Sequence, residues 1–101
     1  MAARLLVATW RDGVWALAPD HRQQELPGRS VRALTADAHG GALAIVDGRE
    51  LQRRSPDGAW SVVARADCSL SCCVEHAGTL YLGTDDARLL LLGPDGEFVP
   101  L

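Results

Sequence analysis

Cys68, Cys72, Cys73 and His76 are the residues whose types and spacing come nearest to chemistry: a C-x3-C-C-x2-H cluster. Thiolates and imidazoles bind zinc, but zinc pairs are usually set as C-x2-4-C in a turn that converges both sulfurs. Cys72 and Cys73 are adjacent, and on an extended strand adjacent side chains point to opposite faces. A thiol nucleophile paired with His76 needs a third orienting group, and the sequence supplies none beside it. The cluster therefore reads as small thiols filling a strand. Three further sets invite the same scrutiny. Asp20, Asp57 and Asp95 each follow a proline, and paired carboxylates about 5–9.5 Å apart could run glycosidase chemistry; they fall in equivalent turns of separate units, so a backbone-bonding Asx turn is expected. His39 and His76 stand at similar points between strands, which suggests rings that hydrogen-bond a turn, while His21 is expected at the surface. Trp10, Trp15 and Trp60 are expected to pack between layers, and an exposed pair of them could hold a sugar or peptide. No catalytic, cofactor-binding or metal residue is assigned from these sets.

The elements that must position these residues come as a repeat. Pro19-Asp20, Pro56-Asp57 and Pro94-Asp95 recur at intervals of 37 and 38 residues. A period of that length marks stacked supersecondary units. The units run about 4–27, 31–64 and 70–101, within one domain of 1–101. In the middle unit the apolar runs are about 31–36, 42–46, 50–54 and 59–64, and in the last about 70–74, 79–84, 88–92 and 97–100. The first unit has runs at 4–10 and 14–18 and a weak one near 24–26, so it lacks its inner strand. Asp12-Gly13 and Asp47-Gly48 are hairpin signals, because a tight primed turn needs the positive φ that Asp and Gly tolerate. The runs have strand lengths, and no segment sustains a 3.6-residue period over three turns. Leu43-Ala-Ile-Val46 and Leu89-Leu-Leu-Leu92 are apolar at every position, the pattern of strands covered on both faces. The expected fold is all-β: consecutive four-stranded antiparallel blades of a partial β-propeller, the first incomplete.

The stretches Ser55-Pro-Asp-Gly-Ala-Trp60 and Gly93-Pro-Asp-Gly-Glu-Phe98 resemble a shortened Asp-box, the Ser-x-Asp-x-Gly-x-x-Trp turn of sialidase-like propellers. The opening Leu5–Leu17 resembles the first hairpin of such proteins. The resemblance implies a propeller fold. For activity, sialidase-like enzymes use an arginine cluster and a Tyr nucleophile; Tyr81 is the only Tyr here and sits in an apolar strand, where burial is expected.

Two complete units and a partial one are too few for the four to eight blades of a closed ring. An open blade face of four strands projects roughly 300 Å², and two such faces reach the largest apolar patch of a typical monomer. The chain is therefore expected to find company: copies of itself, with a dimer giving six blades, a complementary propeller chain, or the remainder of a longer protein in which Leu101 is a cut point. Residues 1–54 carry eight Arg and six acids, and residues 55–101 carry two Arg and seven acids. Opposite-signed ends could favour head-to-tail contact, but solvated surface is the expected reading of this imbalance. The net charge of -3 excludes a general nucleic-acid binder. Arg11 and Asp12 interrupt the first apolar run before it reaches signal-peptide length, no run is long enough to span a bilayer, and an odd number of irregularly spaced cysteines reads as reduced thiols in the cytoplasm. The function expected is a non-enzymatic binding or scaffold module assembled as a ring, with a fragment or degenerate relative of a sialidase-like hydrolase as the alternative. No cofactor is expected.

Overall fold

A computed structural model describes residues 5–101. Arg4, where the first apolar run was placed, lies outside them. Among the described residues there are eleven strands and no helix: β1 (Leu5–Ala8), β2 (Val14–Ala18), β3 (His21–Glu25), β4 (Val31–Ala36), β5 (Ala42–Val46), β6 (Glu50–Arg54), β7 (Trp60–Arg65), β8 (Leu70–His76), β9 (Thr79–Thr84), β10 (Leu89–Leu92) and β11 (Phe98–Pro100). They form three antiparallel sheets, each a simple meander: β1-β2-β3, β4-β5-β6-β7 and β8-β9-β10-β11. The first sheet has three strands, and β1 is its edge. In the other two sheets the corresponding strands, β5 and β9, are paired on both sides.

The turns follow from local chemistry. At Asp47-Gly48 both residues take positive φ, 53° and 78°, the primed hairpin that the dipeptide predicts. Ala77-Gly78 adopts the same geometry, with φ 51° at an alanine that gains nothing from it. At the outer corners two of the three repeated aspartates, Asp57 and Asp95, brace the turn: the Glu97 amide donates to Asp95 Oδ1 at 3.1 Å. The Ser55 hydroxyl bonds Asp57 while accepting the Ala59 amide at 3.0 Å. One strand begins away from its expected place. β3 starts at His21, immediately after the Pro19-Asp20 corner, although His21-Arg-Gln-Gln24 has no apolar alternation. Pairing with β2 satisfies its backbone, and three of its five side chains remain in water.

The sheets stack in chain order. Each has a trailing face toward the sheet before it and a leading face toward the sheet after it. Val14, Val31, Ala44 and Val46 are buried between the first two sheets, with Leu6, Ala8, Leu34 and Trp60 packed against them. Leu43, Ile45 and Leu51 meet Leu70, Leu80, Leu82 and Leu90 between the second and third. All five residues of β5 are buried, because odd positions serve one layer and even positions the other. Strand β8 lies against β4 and β5, and β4 lies against β1. The same backbone contacts recur at each junction. The Asp47 amide donates to Ser30 O at 2.7 Å and the Asp85 amide to Ser69 O at 3.0 Å; Val31 N reaches the turn carbonyl of Thr9 and Leu70 N that of Gly48. A register shift also recurs at equivalent places, Val31/Ala33 and Leu70/Cys72. No described helix is long and apolar enough to cross a membrane.

Candidate functional site

The residues nominated by the sequence are scattered by this architecture. Cys72 and Cys73 do point to opposite faces: Cys73 packs against the core of the second layer, and Cys72 is exposed. Burial pushes the Cys73 thiol up to about 11, with the neighbouring Cys72 adding to the shift, so at neutral pH it is a protonated and unreactive sulfur. Among the described residues no three His, Cys, Asp or Glu side chains converge as a metal site. His21, His39 and His76 are all exposed. The turn role expected of the His39 ring falls to its backbone instead: its amide donates to Asp37 Oδ1 at 2.8 Å. Tyr81 is half-buried on the leading face of the third sheet, where nothing covers it, so the full burial expected of it is corrected.

The three tryptophans divide. Trp60 packs between the first two sheets, as expected. Trp15 lies half-buried on the trailing face of the first sheet. Trp10 is 62% exposed in the first hairpin turn, and the Arg32 guanidinium sits over its ring at 5.6 Å. An inter-layer place is thus wrong for Trp10, which the hairpin turn carries clear of the core, and for Trp15, whose face no other described sheet covers. Arg32 also pairs with Asp85 at 3.0 Å, which links turns of the first and third sheets across the second.

Three of the eight ion pairs among the described residues cross between sheets, and the others brace one sheet or its approach. Glu25, 7% exposed, ends β3; Arg54, 3% exposed, ends β6. Arg54 Nε donates to Glu25 Oε1 at 2.7 Å and Nη2 to Oε2 at 2.9 Å, while Trp60 Nε1 donates to Oε1 at 2.7 Å. Burial pushes the Glu25 carboxyl up, and the bonds from Arg54 and Trp60 more than reverse it, leaving it below its ordinary value. Asp37 forms a second junction. It accepts the His39 and Gly41 amides at 2.8 Å each and pairs with Arg53 at 2.7 Å. Arg53 in turn faces Glu75 of the third sheet at 3.7 Å. Glu50 collects Arg29, Gln52 and Arg65. No local pattern of residues announces these junctions, since Glu25 and Arg54 are 29 residues apart. They also change the reading of charge along the chain. The arginines that make the first half positive, among them Arg29, Arg32, Arg53 and Arg54, belong to the middle sheet or its approach and are paired with acids. The two ends of the stack are not oppositely charged.

What remains open is apolar. A groove of about 430 Å³ follows the free edge of β1, lined by Leu5, Leu6, Leu34, Ala36, Gly41 and Arg54. Beside it the trailing face of the first sheet carries Leu5 and Val7, cross-strand from Leu17 and Trp15; Leu5 is 56% exposed. At the other end, Cys72, Val74, Tyr81, Gly83 and Leu89 line an almost wholly apolar groove of about 300 Å³ on the leading face of the third sheet, and Leu89 is 51% exposed. Uncovered faces of this kind mark interaction surfaces. Compared with known proteins, the chain matches no family model, no curated protein and no solved structure.

Proposed function

We propose that the chain is a run of three β-propeller blades, the first without its inner strand, and that it works as a non-enzymatic binding or scaffold module when a ring is completed around a central opening. One observation carries this reading: the stack begins on a face that carries Leu5, Val7, Trp15 and Leu17 and ends on the apolar face of Tyr81 and Leu89, and inside it faces like these are buried by the neighbouring sheet. The repeated junctions, with β4 set against β1 and β8 against β5, are the arrangement that radial blades need. The free edge of β1 is the natural seat of the absent inner strand, because its backbone groups face outward unpaired. The three free cysteines fit a reducing cytoplasm. A crystal structure of the purified protein tests the proposal. Sheets radiating about a common axis, with β4 and β8 nearest it, are expected; a flat sandwich would overturn it.

A second reading, a fragment or degenerate relative of a sialidase-like hydrolase, is favoured by the Ser55–Asp57 turn, whose hydroxyl and carboxylate brace the corner in the manner of an Asp-box. Its test is a fluorogenic sialoside. No turnover is expected; turnover abolished by Tyr81→Phe would establish the hydrolase and displace the binding module.

A further inference from the structure

We infer that the leading face of the third sheet is the docking surface for the trailing face of the first sheet of a second copy, a head-to-tail contact that closes two chains on each other. The inference rests on the stacked-unit reading above and names its partner.

The argument begins from the repeat. With Pro19 aligned on Pro94, Leu5, Val7, Trp15 and Leu17 fall on Leu80, Leu82, Leu90 and Leu92. Leu80, Leu82 and Leu90 are the buried residues with which the third sheet covers the second, and Leu92 packs beside them. The first sheet therefore carries a matching apolar set on a face that has nothing to cover. With Pro56 aligned on Pro94, the covered face of the second sheet, Leu43, Ile45, Leu51 and Arg53, falls on Tyr81, Gly83, Leu89 and Leu91 of the third. That face is as apolar as the one it corresponds to, and Leu91 replaces the single charge. A lid and a seat of the same kind as those that meet inside the chain are thus left at its opposite ends.

The internal junctions also differ in a way that selects this pairing. The contact between the first and second sheets is built on a buried ion pair, Glu25 with Arg54. With the prolines aligned, Arg54 corresponds to Leu17 on the first sheet and Leu92 on the third, and Glu25 to Pro100. Neither free face carries a member of that pair. Both carry the apolar set of the junction between the second and third sheets; Arg22, cross-strand from Leu17 on the trailing face, is exposed on the outer strand β3 and stays in water at the rim of the contact.

Area decides the number of copies. The first sheet has three strands, so its face projects roughly 225 Å² and one contact buries roughly 450 Å², far below the 1,200 Å² or so at which specific interfaces become stable. Two copies that exchange both contacts at once bury roughly 900 Å², which brings them near that threshold. Closed pairing is therefore favoured over a chain of single contacts.

Native mass spectrometry with cysteine cross-linking tests the inference. The expected mass is twice the 10.8 kDa chain. In a Val7→Cys variant, a short bis-maleimide should join residue 7 of one copy to Cys72 of the other. Val7 and Leu89 are exposed, so substitutions there leave the sheets intact, which near-ultraviolet circular dichroism checks. Leu89→Asp should weaken association at least tenfold. A folded monomer up to about 1 mM would overturn the inference and leave the blade reading standing. Predominant 72-to-72 links would overturn it in favour of like faces meeting. A ladder of masses with 7-to-72 links would uphold the contact but overturn the closed pair, and with it the ring.

Discussion

Glu25 shows what a single charged side chain decides in this protein. Its carboxylate is buried between two sheets and holds three donors, two from Arg54 and one from Trp60. Removing it leaves a guanidinium enclosed without a counter-charge, which costs about 3–5 kcal/mol. We expect Glu25→Gln to lower the stability measured by urea unfolding by about that amount at pH 7. The pH dependence follows from the lowered carboxyl. Its stabilisation is complete above the ordinary value of 4.5 and is lost as pH falls through the lower value of the folded state. The gap between wild type and Glu25→Gln should therefore close in acid. Asp37, Asp47 and Glu50 are held low as well, so the variant keeps an acid transition of its own. The cysteines give a second residue-scale outcome. Cys72 is exposed, and Cys73 is protonated and packed against the core. Limited alkylation followed by peptide mass spectrometry should label Cys72 well before Cys73; equal labelling would mean that the third sheet opens readily.

At the scale of elements, turns fix where strands begin and pairing fixes where they end. Asp47-Gly48 carries the left-handed conformation cheaply, whereas Ala77 takes the same φ without a side chain that tolerates it. Ala77→Asn should raise stability by about 0.5–1 kcal/mol, read as a shift in the urea midpoint at constant slope. Strand β3 is the instructive departure. Its residues carry no apolar rhythm, so a weak run near 24–26 was all that the pattern offered. Tertiary pairing with β2 extends it back to His21, and its one buried side chain is the glutamate of the inter-sheet ion pair. The other strands were legible nearly to the residue because turn dipeptides punctuate them. Adjacent apolar residues in β5 likewise announced a strand shared by two layers, and it is buried throughout; β10, expected to be covered on both faces, is covered on its trailing face alone, and Leu89 is exposed.

At the scale of the molecule, the surface that matters is the pair of apolar ends. Each copy carries a net charge of -3, and the arginines are largely engaged within the chain. In the proposed pair, like net charges repel weakly while the terminal faces attract. Salt should strengthen association, since the screening length falls from about 30 Å at 0.01 M to about 8 Å at 0.15 M. Sedimentation velocity across that range should show the heavier species increasing; a decrease would indicate that ionic contacts, and not the apolar faces, join the copies. A contact between oppositely charged ends would give the opposite dependence; charge summed along a chain does not say which residues meet in space.

The sequence by itself determined that this protein is all-β, how many repeat units it holds and where almost every strand lies. Those properties depend on neighbours a few residues apart, through turn conformation and the two-residue alternation of strands. Only the tertiary structure decided which charges are buried in pairs, that Trp10 lies outside the layers, and which apolar faces are left uncovered. Those depend on contacts between residues 16 or more positions apart, and burial, which sets their energies, exists only once the sheets have stacked.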